Sequence, residues 1–204
     1  MTKDKVQLEL LNKLNFSPAH INKLQLFHDE LLKFNQKYNL ISKSTENDIW
    51  KRHILDSAQL VRYIGFEDGK SLADMGSGAG FPGVVLALFN KNDNFHVKLY
   101  EKSPVKRDFL HLITEKLDIK LKISDNVYES QIEADIIVCR AFKKLDQIIK
   151  ISREIVKKPH KILILKGKNA QDEINNVSLG PNYSYKLEKS ITDFDSKIII
   201  IEAK

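Results

Sequence analysis

At 204 residues the chain has room for one compact α/β core and a modest extension, but hardly for two full domains. Hydrophobic content of 42% beside 29% charged residues is a globular composition, and no apolar run approaches the roughly 20 residues of a membrane-spanning helix. The net charge of +6 points to an anionic partner, and the excess is local, because residues 140–168 hold ten Lys or Arg against Asp146 and Glu154.

The first 20 residues carry Asp4 and Glu9 among scattered leucines, so neither a signal peptide nor a transit peptide is expected. With Cys139 alone no intrachain disulfide can form, and a soluble, cytoplasmic protein is expected. Up to Gly69 the pattern is helical: Val6, Leu10 and Leu14, then Leu24, Phe27, Leu31 and Phe34, recur at helical spacing. Ser17 and Pro18 read as the N-cap and first turn of a second helix, and a third is predicted from about Glu46 to Ile64, before Gly65. Residues 1–69 are read as a helical cap. After Lys70 the period changes. Strands are predicted near 71–75, 96–101, 119–123, 134–139, 161–166, 184–190 and 196–202, with helices at about 82–90, 104–117, 143–157 and 169–177. This alternation implies right-handed crossovers and a mainly parallel sheet. Only Thr192 to Asp195 separate the last two strands, which predicts an antiparallel hairpin at the sheet edge.

Asp74-Met75-Gly76-Ser77-Gly78-Ala79-Gly80-Phe81-Pro82-Gly83 lies between a predicted strand and a predicted helix. Glycines in that position let the backbone turn tightly and approach a ligand, while a helix N-terminus favours an electronegative group. Gly78, Gly80 and Gly83 formally match the dinucleotide fingerprint, but here an acid and Gly76 come first. The phosphate-cradling loop of nucleotide triphosphatases fails, because Val84 and Val85 stand where Lys and Ser or Thr are required. A hydrolase elbow fails as well, since Gly76 directly precedes Ser77. What remains is a cofactor without a pyrophosphate, with Asp74 for its charged amino-acid end and Glu101, 27 residues on, for ribose hydroxyls. Two acids and a glycine turn suit S-adenosylmethionine. Asp74 alone also fits a cap for the following helix, a reading that Glu101 outweighs.

Four short motifs then appear in order: Tyr38-Asn39-Leu40; Arg52-His53-Ile54-Leu55-Asp56-Ser57; the glycine loop with its Phe81-Pro82-Gly83; and Arg140-Ala141-Phe142 followed by Leu163 to Gly167. From about Phe34 to Lys168 the chain resembles the bacterial 16S rRNA (guanine-N7) methyltransferase family, also called ribosomal RNA small subunit methyltransferase G or glucose-inhibited division protein B. The resemblance implies an α/β fold with a Rossmann-like, seven-stranded class I methyltransferase sheet and an N-terminal helical extension. Residues 70–204 would then form the S-adenosylmethionine-binding methyltransferase domain. It implies methylation of one guanine at N7 in 16S rRNA, with cofactor contacts at Gly76, Phe81, Val127, Tyr128 and Arg140, beside Asp74, Gly78 and Glu101 from the loop chemistry. Two departures stand out: Glu101 replaces the family's usual Asp, and Asn126-Val127-Tyr128 replaces a typical Arg-Val-Glu.

Guanine N7 carries a lone pair, so its methylation needs positioning more than a general base. Asp56, His53 and Arg140 are the candidate catalytic residues, with Phe142 as a possible aromatic face for the base. His53 and Asp56 share a helix face, which equally fits a structural polar pair. Lys102, Lys106 and Arg107, with Lys143, Lys144 and Lys166, are the candidate RNA contacts. Cys139 ends an apolar strand and reads as a core residue. No metal is expected. The partner expected is 16S rRNA or the small ribosomal subunit, with no membrane or DNA, and a monomeric enzyme. Two other readings stay open: a nicotinamide-dinucleotide-dependent oxidoreductase, and a non-catalytic RNA-binding ribosome assembly factor.

Overall fold

The computed structural model describes residues 1–127 and 131–204. Two helices open the chain, α1 (Lys3–Lys13) and α2 (Pro18–Asn35). The start of α2 is fixed by Ser17, whose Oγ accepts from the His20 amide at 3.2 Å while His20 Nδ1 accepts from the Ser17 amide at 3.1 Å. This is a reciprocal capping box with histidine in the usual Glu or Gln position. The three-and-four spacing buries Leu24, Phe27 and Leu31 completely. Past α2, Asn35 pins the return of the chain, its Oδ1 accepting from the Ile41 amide at 2.9 Å, and a short α3 (Lys43–Glu46) follows.

The single helix predicted from 46 to 64 is instead wound in three ways. A π-helix (Trp50–Leu55) gives way to one α-turn, α4 (Asp56–Ala58), and then to a 3-10 helix (Gln59–Tyr63). Burial explains the change. Residues 53–55 and 57–60 are all buried, which no single helical face can supply, so the winding shifts phase to present successive residues inward.

From Ser71 onward strands and helices alternate: β1 (Ser71–Met75), α5 (Gly83–Phe89), β2 (His96–Tyr100), α6 (Pro104–Leu117), β3 (Lys122–Ser124), β4 (Ile136–Arg140), α7 (Leu145–Ile155), β5 (His160–Lys166), α8 (Ala170–Asn175), β6 (Tyr183–Lys189) and β7 (Lys197–Ala203). The sheet order is β3-β2-β1-β4-β5-β7-β6. The first five strands run parallel, and β7 lies antiparallel between β5 and β6, so the predicted hairpin leaves β6 at the edge. The third strand is shorter and later than the predicted 119–123.

Strand alternation divides the core. Leu72, Val138 and Leu163 face α1, α2, α5 and α6, whereas Ala73, Met75, Ile137 and Cys139 face α7 and α8. The helical segment before Gly69 thus shares one core with a face of the sheet. Burial pushes the Cys139 thiol well above its ordinary range, which suits the core residue expected and not a nucleophile.

Helix α5 meets the sheet without room for a side chain. A Cβ on Gly83 would lie 2.2 Å from Leu99 Cδ2 and 2.6 Å from Asp74 Oδ2. Gly83→Ala is therefore expected to destabilise the protein by roughly 2 kcal/mol, as overpacking of a filled core does. A denaturant midpoint equal to that of the parent chain would contradict this packing.

Candidate active site

Strand β1 is flanked by β2 and β4, and the chain crosses over in opposite directions to reach them. Such a switch point opens a crevice at the carboxyl ends of the strands. A cleft of about 770 Å³ lies there. The glycine loop, the ends of β2 and β4, the π-helical segment and the β6–β7 loop line it.

The loop conformation needs its glycines. Gly76, Gly78 and Gly80 have φ of 75°, 59° and 98°, a region that residues with a Cβ rarely occupy. The amides of Gly76 and Ser77 both donate to the Tyr100 carbonyl, at 2.9 and 3.0 Å, which ties the loop to β2. A Cβ on Gly76 would strike the Phe142 ring at 2.4 Å, whereas one on Gly78 would touch only the Gly76 carbonyl oxygen, at 4.0 Å. Gly78 therefore leaves room for a ligand.

Asp74 does not sit where the sequence reading put it. Its side chain is fully buried, lies outside the cleft lining, and accepts the Gly83 amide on Oδ2 at 2.8 Å. It caps α5, the reading that Glu101 had outweighed. The first amide of that helix is consequently occupied from within, and the helix N-terminus is not the ligand's anchor. Oδ1 has no hydrogen-bond partner among the described residues, and burial raises the carboxyl to about 7.

Glu101 does line the cleft. Its Oε2 accepts from the Gly78 amide and its Oε1 from the Ser103 amide, both at 2.8 Å, so the carboxylate is aimed and each oxygen keeps a further lone pair. Val127, buried apolar surface, and Asp125 lie on the same side, with Lys102 and Lys106 at the rim. Tyr128 lies outside the described residues. Arg107 is corrected as an RNA contact: its Nη1 donates to the carbonyls of Glu101 and Lys102 at 3.0 and 2.7 Å, bracing the turn into α6.

On the opposite wall three predicted residues meet. Arg140, ending β4, donates from Nη1 to the Arg52 carbonyl at 2.8 Å and from Nη2 to His53 Nδ1 at 2.7 Å, and its Nη1 stands 3.7 Å from Asp56 Oδ2. Arg140 and His53 also both pack on the Phe81 ring, at 5.2 and 5.1 Å from its centroid. Burial lowers His53 to about 3, with Arg140 and Arg52 adding to the effect, so the imidazole stays neutral at physiological pH. Because Nδ1 accepts from Arg140, the proton is on Nε2, which is buried and has no partner among the described residues. Burial pushes the Asp56 carboxyl up while Arg140, Thr192 and Gln59 draw it back.

The basic segment is less uniform than its sequence. Lys143 and Lys144 are exposed, but Lys166 is mostly buried and pairs with Glu173 at 2.7 Å while donating to the Lys143 carbonyl at 3.0 Å. Lys166 therefore holds α8 to the sheet and is withdrawn as an RNA contact. Sequence reasoning missed the loop between β6 and β7. Thr192, Asp193 and Ser196 line the cleft, and Thr192 Oγ1 donates to Asp56 Oδ1 at 3.0 Å. Its polar residues read as an ordinary hairpin turn, and the only signal was its pairing partner far back in the chain.

The family model described as rRNA small subunit methyltransferase G matches residues 20–199. Among individual proteins, the Ribosomal RNA small subunit methyltransferase G of Orientia tsutsugamushi (strain Ikeda) is 39% identical over 189 residues, covering 92% of this chain and 93% of that protein. Its namesake from Pelagibacter ubique (strain HTCC1062) is 30% identical over 199 residues, covering 95% and 93%. Among solved structures, a SAM-dependent methyltransferase from Aquifex aeolicus has a TM-score of 0.54 at 12% identity, covering 86% of this chain and 97% of that one. A variant of MtNAS in complex with S-adenosylmethionine has a TM-score of 0.60 at 11% identity, covering 100% and 84%. At those identities the structural likeness concerns the fold.

Proposed function

This chain belongs to the rRNA small subunit methyltransferase G family, and from that premise we propose that it transfers the methyl group of S-adenosylmethionine to N7 of a guanine in 16S rRNA. It acts in the cytoplasm as a monomer, on 16S rRNA or the small subunit, with neither membrane nor DNA as partner. Among the described residues no helix is long and apolar enough to cross a membrane. The division into a helical cap before Gly69 and a cofactor-binding domain after it is part of the same reading.

One observation carries the proposal: a single cleft joins a carboxylate wall at Glu101 to an arginine-centred wall at Arg140 across a glycine loop that lines it at Gly76 and Gly78. Its volume of about 770 Å³ is within the range of cofactor sites. Glu101 suits the ribose diol, because its free lone pairs accept two hydroxyls, while Val127 offers the adenine an apolar face. Gly76, Gly78 and Phe81 shape the floor, and Asp74 acts through the loop by capping α5. When bound, S-adenosylmethionine supplies an electrophilic methyl on a sulfonium.

The protein's own groups then orient the base. His53 is neutral and its Nδ1 is committed to Arg140, so it is neither a general base nor a cation. Its role is to hold the Arg140 guanidinium through Nδ1, while its Nε2–H stays buried with no partner among the described residues. Asp56 and the ring of Phe142 favour the positive charge that develops on the methylated guanine. Lys102, Lys106, Lys143 and Lys144 attract the phosphates.

Methyl-labelled cofactor and small subunits from cells lacking this chain's gene should yield label in 16S rRNA at one guanine. Calorimetry supplies the opposing outcome. Binding of a nicotinamide dinucleotide with none of S-adenosylhomocysteine would sink the proposal.

A further inference from the structure

The loop joining β6 to β7 carries Phe194, which is 84% exposed, against 50% for Tyr185, the next most exposed aromatic among the described large hydrophobic residues. An isolated exposed apolar residue is ordinary. This one stands in a loop whose other members form part of the cleft wall: Thr192, Asp193 and Ser196 all line it.

The loop is anchored to the segment that carries His53 and Asp56. Thr192 Oγ1 donates to Asp56 Oδ1 at 3.0 Å, Gln59 Nε2 donates to Ser190 Oγ at 3.1 Å, and the Ile191 amide donates to Gln59 Oε1 at 2.9 Å. Gln59 itself is fully buried, so this attachment is part of the interior. At the tip the Asp195 amide donates to Asp193 Oδ1 at 2.9 Å, and Lys197 Nζ lies 5.9 Å from the Phe194 ring centroid. An aromatic face is thus presented to solvent from a braced loop that borders the cleft. Asp193 and Asp195 repel phosphate, so the tip suits the face of a base over the backbone, while Lys51, Lys102 and Lys106 line the cleft as cations for the phosphates.

Sequence-specific recognition of RNA relies on unpaired bases stacked on aromatic side chains. We infer that Phe194 is a stacking platform for an unpaired base of the substrate RNA adjoining the methylated guanine, an inference that rests on the RNA-methylating function proposed above. Through Thr192 and Gln59 the occupied platform also registers the RNA against Asp56 and Arg140.

The test is steady-state methylation of small ribosomal subunits taken from cells lacking this chain's gene, with the full chain and three variants. Phe194→Ala and Phe194→Leu should raise KM for subunits about tenfold and leave kcat within about twofold, while Phe194→Tyr should match the parent, because stacking needs a π-face. The side chain is almost wholly exposed, so none of these changes threatens folding. An unchanged KM for Phe194→Ala would overturn the platform. So would a Phe194→Leu variant that performs like the parent, since apolar contact alone would then suffice. If the parent chain itself puts no methyl on subunits, the RNA-methylating function fails and the platform with it, an outcome distinct from a defect-free Phe194→Ala in an active enzyme.

Discussion

Arg140→Ala is expected to reduce methyl transfer to 16S rRNA by about a hundredfold or more, the scale on which misplacing a catalytic constellation acts. The residue joins three groups that no other side chain joins among the described residues: the Arg52 carbonyl, His53 Nδ1 and Asp56. Without it His53 loses the bond that fixes its tautomer, and the Asp56 carboxylate, already raised by burial, loses its cation. Stability should fall too, by roughly 3 kcal/mol, because the change strands a mostly buried carboxylate and two acceptors. Arg140→Lys separates charge from geometry. A lysine keeps the positive charge near Asp56 but cannot reproduce the planar fork that reaches the carbonyl and the imidazole together, so it should regain stability without regaining the rate. Labelled-methyl incorporation and thermal unfolding of the two variants check both halves. A folded Arg140→Ala chain with the parent's rate would remove Arg140 from the site.

How much of this was legible in the sequence depended on whether a signal was local. The strands of the parallel sheet announced themselves as short apolar runs because both faces are covered, and the glycine loop because three left-handed positions admit little else. His53 and Asp56 were found by α-helical spacing, but His53 lies in the π-wound turn, and it is Arg140 that brings the two together. The π-winding itself was not legible: it follows from burial on successive faces, which depends on α1, α2 and the sheet. Lys166 shows the limit of charge counting. Its neighbours in sequence are basic, but the strand turns its side chain toward Glu173, and the apparent RNA contact is a tertiary ion pair. The same holds for the β6–β7 loop, whose link to Asp56 joins residues 136 positions apart.

Asp74 supplies the second large effect, and it concerns stability as a function of pH. The folded carboxyl titrates at about 7, whereas in an unfolded chain it would titrate near its ordinary value of 3.8. A raised folded value means that the native state holds a proton the unfolded state has released, so the stabilisation is complete below about pH 4 and is lost as pH rises toward and through 7. At about 1.4 kcal/mol per pH unit the window amounts to roughly 4 kcal/mol. Asp74→Asn keeps an oxygen for the Gly83 amide and removes the titration. The variant should match the parent near pH 4 to within about 1 kcal/mol and exceed it increasingly up to pH 8, once the parent must hold a buried charge beside an oxygen that has no partner. The comparison has to be a difference between the two proteins, because His53 works in the opposite direction. Held neutral down to about 3, it removes stability as pH falls below its ordinary 6.5, and that contribution is common to both chains. Urea unfolding at four or five pH values would give the difference directly. A constant difference between pH 4 and 8 would mean that Asp74 is ionised throughout, and that the helix N-terminus it caps stabilises the charge more than burial opposes it.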